Sequence, residues 1–108
     1  MLSFTPHWKD KNSELLVKAL LSLKTEEEVW RLLDDLCTIA EVKAMTQRIH
    51  VAKLLFEDTT YNIIARETGA STATISRVNR CLNYGADGYR TVLDRLKKEA
   101  EDEKQTNT

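Results

Sequence analysis

Residues 60–82, TYNIIARETGASTATISRVNRCL, follow the pattern of a helix-turn-helix. Thr60 is a typical N-cap for a first helix over about residues 61–68. Gly69 then stands where a tight turn requires a positive φ, which glycine adopts without a steric penalty. We therefore predict two short helices that cross at Gly69, and the rest of the chain is interpreted around them.

The second helix of this motif is predicted to begin at Ser71 or Thr72, to run through Asn83 and to stop at Gly85. Apolar residues recur along both helices at helical spacing, which indicates one buried face on each. These residues are Ile64 and Ala65 before the turn, and Ile75, Val78 and Leu82 after it. The small Ala65 side chain permits the close contact that a steep helix crossing needs.

The outer face of the second helix carries hydroxyls and arginines, where a solvated face usually carries Glu and Lys. Between residues 60 and 82 the charges are Arg66, Arg77 and Arg80 against Glu67, although the whole chain has a net charge of −1. Positive charge is thus concentrated in the motif, and these side chains suit a helix that enters a DNA major groove. An ordinary helical hairpin with a glycine turn is the alternative. The residues available for DNA are Thr72, Ala73, Thr74, Ser76, Arg77, Asn79 and Arg80.

The composition predicts an all-α fold with one domain. The chain has 108 residues, one proline, three glycines and 6% aromatic residues, and it is rich in strong helix formers. No apolar stretch is long enough for a membrane span, and the N-terminus lacks a signal-peptide pattern. We therefore expect a cytoplasmic protein without membrane contact.

The residues that could act in catalysis or bind a metal do not form a recognisable catalytic or metal-binding pattern. Cys37, Cys81, His7 and His50 are isolated, without the spacing of metal ligands or of a redox pair. The sequence also lacks a glycine-rich phosphate loop and any predicted nucleophile–base pair. We predict a protein that is not an enzyme and that has neither a metal nor a cofactor.

Along the chain, the predicted organisation is an N-terminal arm (residues 1–12), a helical domain (13–100) with the helix-turn-helix at 60–84, and a polar tail (101–108) that frays. The first helix is expected over residues 13–23. Two capping boxes then mark helix starts, Thr25 with Glu28 and Thr38 with Glu41. The second box opens the longest helix, over about residues 39–57, and a last helix is expected over about residues 89–100.

The long helix is apolar around most of its circumference, a pattern typical of a buried central helix. Its apolar residues are Ile39, Val42, Met45, Ile49, Val51, Ala52, Leu54, Leu55 and Phe56. Because so short a chain leaves little else to surround this helix, we infer a homodimer formed through helices one to three. A compact monomer with a well-covered central helix is the alternative.

Two segments, TIAEVKAMTQRIHVAKLL (38–55) and ETGASTATISRVNRCL (67–82), resemble the Trp repressor family, and more closely its TrpR-related YerC/YecD branch. The similarity covers about residues 13–97, and the run GASTATISR is its most specific part. The resemblance implies a six-helix, intertwined homodimer that places paired reader helices in successive major grooves of a palindromic operator. The half-sites of such an operator lie about 34 Å apart.

The resemblance also implies a ligand pocket, which in tryptophan-responsive members places an indole ring between two arginines. The matching residues are Arg48 and Arg77, and Thr38 matches a threonine of the pocket. Val78 replaces the glycine that leaves space for the ring, and Cys81 replaces a serine. We therefore predict a vestigial pocket that Val78 partly fills, with an effector left open. Pairing with acidic residues or with phosphate is the alternative role of the two arginines.

For DNA contacts, the resemblance supports Thr72, Ala73, Thr74 and Ser76 and adds residues of the preceding helix. Asn62 stands where the family has a basic residue, and Arg66 can substitute for it. These differences predict an operator unlike the tryptophan operator. The predicted function is a sequence-specific transcriptional regulator, a repressor that does not respond to tryptophan. The alternative is a helical dimeric interaction module that no longer reads DNA.

Overall fold

The computed structural model describes residues 4–106 and confirms the all-α prediction. It contains six helices, and residues 4–106 include no strand. The helices are α1 (Lys11–Leu21), α2 (Glu26–Leu36), α3 (Ile39–Phe56), α4 (Tyr61–Thr68), α5 (Thr72–Tyr84) and α6 (Gly88–Thr106). The described residues form two compact units, residues 4–42 and residues 43–106, with the second unit beginning within α3.

Helix α1 begins two residues before the predicted start because Asp10 caps it. The backbone N–H of Ser13 donates to the Asp10 carboxylate at 2.7 Å, and the N–H of Asp10 donates to the Ser13 hydroxyl at 2.8 Å. This reciprocal pair satisfies two backbone donors, one of them an N–H of the first turn that lacks an intrahelical partner. Lys11 and Asn12, which were assigned to the N-terminal arm, therefore belong to α1, and residues 1–3 of the arm lie outside the described part of the chain.

The helix-turn-helix is formed by α4 and α5 of the second unit, as predicted. Gly69 has a φ of 71°, in the left-handed region, and its N–H donates to the carbonyl of Ala65. Thr68 ties the turn together, because its hydroxyl donates to the Ile64 carbonyl at 2.7 Å and accepts from the Ala70 N–H at 3.1 Å. Thr60 occupies the N-cap position of α4, but it makes no side-chain capping hydrogen bond.

The buried core surrounds this motif and confirms the predicted inner faces. Ile64, Ile75, Val78 and Leu82 are buried, and the half-buried Ala65 packs against them. The remaining buried residues come from α3, the turn and α6; they are Val51, Ala52, Ala70 and Leu93. The core thus holds α5 in place from one side and leaves its other side to solvent.

Helix α6 runs from Gly88 to Thr106, well past the predicted end at Ala100. Residues 101–106, which were assigned to the polar tail, continue this helix in the structure. This segment, EDEKQT, contains mostly strong helix formers, so no residue before Thr106 stops the helix. Asn107 and Thr108, the end of the predicted tail, lie outside the described residues.

Asp58 terminates α3 in an unfavourable backbone conformation, with a φ of 61°. The N–H groups of Asp58 and Thr59 donate to the carbonyls of Leu55 and Leu54, both at 3.0 Å, which is the hydrogen-bond pattern of a Schellman motif. That motif favours glycine at the left-handed position. The negative charge of Asp58 also opposes the negative end of the helix dipole.

We therefore expect the Asp58→Gly variant to have a free energy of unfolding about 0.5–1 kcal/mol above that of the wild type. Urea unfolding at neutral pH measures the difference. Asp58→Asn is the matched control, because it removes the charge and keeps the Cβ atom. A lower stability of the glycine variant would contradict the assignment of strain to this residue.

Candidate nucleic-acid interface

The polar side of helix α5 faces solvent, and a side-chain hydrogen bond caps the start of the helix. The Ser71 hydroxyl accepts from the N–H of Thr74 at 3.1 Å, so Ser71 and not Thr72 is the N-cap. Among the predicted contact residues on α5, those with exposed side chains are Thr72, Ala73, Ser76, Arg77 and Arg80. Because the apolar residues of α5 lie in the core, these side chains are available to a macromolecule that approaches from the solvent side.

Thr74 differs from the other predicted contacts. Its side chain is half-buried, and its hydroxyl lies 3.1 Å from the Ser71 hydroxyl, within the cap of α5. Its first role is therefore to support the start of the helix.

On α4, Asn62 and Arg66 are both exposed, and their spacing of four residues places them on one face of that helix.

Within the part of the chain that the structure describes, Arg66 of α4 and Arg77 and Arg80 of α5 form no ion pair with an acidic side chain. Among residues 4–106 the ion pairs join Lys9 to Glu14, Arg31 to Glu27, Lys53 to Glu57 and Lys98 to Asp94. Arg66, Arg77 and Arg80 therefore keep their charge unneutralised by neighbours in the described chain. An unpaired, exposed guanidinium is suited to phosphate, which it can bind with two parallel hydrogen bonds.

The C-terminal half of α5 contains a polar network that the sequence pattern did not indicate. The Asn83 side-chain amide donates to the Asn79 carbonyl at 2.9 Å and to the Asn79 side-chain oxygen at 3.0 Å. Arg90, from the first turn of α6, donates from Nη2 to the Asn83 side-chain oxygen at 3.0 Å and from Nε to the Leu82 carbonyl at 2.8 Å. Only the packing of α6 against α5 brings Arg90 to this place.

The residues of the predicted ligand pocket fall into different environments. Thr38 belongs to the first unit and caps α3: its hydroxyl accepts from the Glu41 N–H at 3.1 Å, and its own N–H donates to the Glu41 carboxylate at 2.8 Å. In the second unit, Arg48, Arg77 and Cys81 are exposed. Val78 is buried, with 1% of its surface exposed, and belongs to the core.

Two grooves in the described chain lie elsewhere. One, of about 540 Å³, is lined by residues of α3 and α6 such as Phe56, Leu93 and Leu96. The other, of about 590 Å³, is lined by residues of the arm and α1 such as Phe4, Trp8 and Val17. Neither is lined by Arg48, Arg77 or Cys81.

The capping box at Thr38 makes stability depend on pH. The Thr38 N–H donates to the Glu41 carboxylate and holds the pKa of that carboxyl below its ordinary value. A carboxyl with a lowered pKa stabilises the fold above the pKa of the unfolded chain, and this stabilisation is lost as the pH falls through the folded pKa.

We expect Glu41→Gln to be less stable than the wild type at pH 7, because a neutral amide is a weaker acceptor at the helix start. The difference should shrink as the pH falls below the ordinary pKa of a glutamate side chain, because the wild-type carboxyl then becomes protonated. Urea unfolding at pH 7 and pH 3 measures the difference in stability between the wild type and this variant. Glu99→Gln, at an exposed position on α6, is the control. A difference that is the same at both pH values would contradict this role of Glu41.

The described residues show no arrangement for a metal or a membrane. Across residues 4–106, no three His, Cys, Asp or Glu side chains approach closely enough to hold a metal ion. None of the described helices combines the length and the apolar character of a membrane span.

Comparison with known proteins agrees with this geometry. The Trp repressor protein family model matches residues 11–97. The uncharacterized protein YerC of Bacillus subtilis is 55% identical over 89 residues, which are 82% of this chain and 86% of YerC. A TrpR-like protein from Eubacterium eligens, known from its crystal structure, superposes with a TM-score of 0.78 at 54% identity, over 82% of this chain and 92% of that one. On these grounds, the chain belongs to the Trp repressor protein family.

Proposed function

We propose that this protein is a sequence-specific, DNA-binding transcriptional regulator that acts in the cytoplasm as a repressor. The exposed side of α5 carries the proposal. It combines hydroxyls at Thr72 and Ser76 with the unpaired guanidinium groups of Arg77 and Arg80. In the proposed complex Arg66 and Arg80 bind phosphates and fix the register, and Arg77 binds phosphate as well. Thr72, Ala73 and Ser76 contact base edges. Membership of the Trp repressor protein family supports the same function.

The proposed regulator is a homodimer. Neither α1 nor α2 has a buried residue, and their large apolar side chains remain open to solvent. Leu21 is 79% exposed, Trp30 is 67% exposed, and Ile39 at the start of α3 is 76% exposed. Apolar surface of this extent on a short chain indicates a partner. A second copy is the simplest one, because one symmetric contact covers the same surfaces on both chains.

Sedimentation equilibrium tests the homodimer, together with the dependence of Tm on protein concentration. We expect a dimer at micromolar concentration and a Tm that rises with concentration, since association stabilises the folded state by mass action. A monomer whose Tm does not change with concentration would contradict the proposal.

The proposed regulator works without tryptophan. The buried Val78 side chain occupies the position at which the family resemblance implies a glycine that leaves space for the indole ring. Inserting an indole there would displace packed atoms at a cost of about 1–3 kcal/mol. The packed Val78 also holds α5 in the core, so no ligand is needed to order the reader helix. Isothermal titration with tryptophan is expected to show no tight binding, and tight binding would contradict the filled pocket.

The decisive experiment is selection of the purified protein against random duplex DNA, at near-physiological salt and without ligand. We expect a palindrome whose half-sites lie about 34 Å apart, one turn of DNA, with a sequence unlike the tryptophan operator. Recovery of that operator in preference to all others would contradict the predicted change of specificity. Recovery of no sequence, with or without tryptophan, would instead support an interaction module that no longer reads DNA.

A further inference from the structure

We infer that Asn79 is a DNA-contacting residue and that Asn83 and Arg90 fix its amide group as a hydrogen-bond donor. This inference rests on the proposed function and adds a contact, with its orientation, to the reader helix. It starts from the hydrogen bonds that connect the three side chains, Arg90 to Asn83 at 3.0 Å and Asn83 to Asn79 at 3.0 Å.

The direction of these hydrogen bonds follows from the chemistry of the groups. A guanidinium can only donate, so Asn83 must present its side-chain oxygen to Arg90. The NH2 group of Asn83 then points the other way and donates to both oxygens of Asn79, the backbone carbonyl and the side-chain Oδ1. With its oxygen engaged as an acceptor, Asn79 has its own NH2 group left to donate. A carboxamide that could otherwise flip is thus held in one orientation.

The position of Asn79 places this donor beside the proposed base-contacting residues. Thr72, Ser76, Asn79 and Asn83 follow one another at spacings of four, three and four, so they share one side of α5. Asn79 is half-buried and lies one helical turn beyond Ser76. A donor at this place suits an acceptor oxygen or nitrogen of DNA, on a phosphate or on the edge of a purine.

Arg90 acts from outside the reader helix and is a positioning residue. It donates to the Leu82 carbonyl, one of the last four carbonyls of α5, which have no partner within the helix. The last turn of α5 contains no basic residue of its own. The positive charge of Arg90 therefore stabilises the end of α5 from α6 and supports Asn83 at the same time.

Binding to a fluorescent duplex recovered by the selection tests the contact. Asn79→Ala is expected to weaken binding about threefold to tenfold, the effect of one lost hydrogen bond. The salt dependence should not change, because a neutral amide displaces no counterions. A loss that is uniform over all sequences would identify a phosphate acceptor, whereas relaxed preference at one position of each half-site would identify a base. Wild-type affinity in Asn79→Ala would overturn the inference.

Coupling tests the positioning role of the other two residues. Asn83→Ala and Arg90→Gln should each weaken DNA binding without changing its salt dependence. Adding Asn79→Ala to either variant should lower the affinity only slightly further, because the three residues act through one contact. A salt slope that falls by about one for each Arg90→Gln protomer would show a direct phosphate contact instead, and would overturn this role. Arg95→Gln is the matched control, since Arg95 is an exposed arginine on the same helix and forms no ion pair among residues 4–106.

A measurement without DNA separates this inference from the proposed function. Nuclear magnetic resonance of the free protein reports the side-chain amide groups of Asn79 and Asn83. Arg90→Gln is expected to shift both signals, and Arg95→Gln to leave both in place. Shifted signals in Arg90→Gln, together with weakened binding in Asn79→Ala, Asn83→Ala and Arg90→Gln but not in Arg95→Gln, support the inference. Unshifted signals in Arg90→Gln overturn it. A wild-type protein that binds no duplex overturns the proposed function and the Asn79 contact together.

Discussion

Replacing Ile64 by alanine is expected to lower the free energy of unfolding by about 2–5 kcal/mol. Ile64 is fully buried in the core, to which α3, α4, α5 and α6 contribute. Removing its side chain loses apolar burial and leaves a cavity that close-packed neighbours fill only in part. Since small domains are stable by about 5–15 kcal/mol, the change removes a large share of the total. Chemical unfolding monitored by circular dichroism measures it.

Ile63→Ala is the matched control for this prediction. Ile63 precedes Ile64 on α4 and is only half-buried, so its truncation removes less buried surface. We expect the Ile63 variant to lose less stability than the Ile64 variant. Equal losses at the two positions would show that the side of α4 assigned to the core is wrong.

The double variant Arg77→Gln with Arg80→Gln is expected to weaken DNA binding and to reduce its salt dependence, which is the second large effect. Both side chains are exposed and unpaired in the described chain, so the variant should keep the stability of the wild type. Each arginine that binds a phosphate releases counterions from DNA. Removing two from each protomer of a dimer should lower the slope of log affinity against log salt by roughly four. Fluorescence anisotropy with the selected duplex, at several salt concentrations, measures this slope.

A double variant with the same loss of charge provides the control. Arg95→Gln with Lys97→Gln removes two exposed positive charges from α6, outside the reader helix and outside the helices through which the dimer is inferred to form. The expected slope is close to that of the wild type, because only charges near the DNA displace its counterions. Similar slopes in the two double variants would indicate that general charge, and not the face of α5, governs binding.

The sequence was sufficient for features that depend on neighbouring residues. Gly69 marked the turn because few other residues accept its φ, and the spacing of Ile75, Val78 and Leu82 marked the inner face of α5. The Thr38 box was also found, since both of its hydrogen bonds join residues three apart. The end of α6 was misplaced because the polar residues after Ala100 suggested a frayed tail, whereas their helix propensity allows the helix to continue.

The exposure of the proposed contact residues was predicted in the same partial way. The apolar stripe of α5 defines its opposite, exposed side, so the helical repeat alone predicts which residues face solvent. These residues are Thr72, Ala73, Ser76, Arg77 and Arg80. The engagement of Thr74 in the cap could not be predicted, since Ser71 and Thr72 were equally good candidates for that position. The family resemblance suggested that Val78 fills a pocket, and the structure adds that its side chain is buried in the core.

The sequence by itself determined the helices, the turn and the polar face of α5, because these depend on backbone preferences and side-chain spacing within a few residues. The tertiary structure alone decided which distant groups meet. Arg90 reaches Leu82 and Asn83 across a helix boundary, and Gln47 of α3 donates to the carbonyl of Thr68 at 3.3 Å. Such contacts depend on how the core packs the helices together. Packing sums many small, non-directional interactions, and no short stretch of sequence records their result.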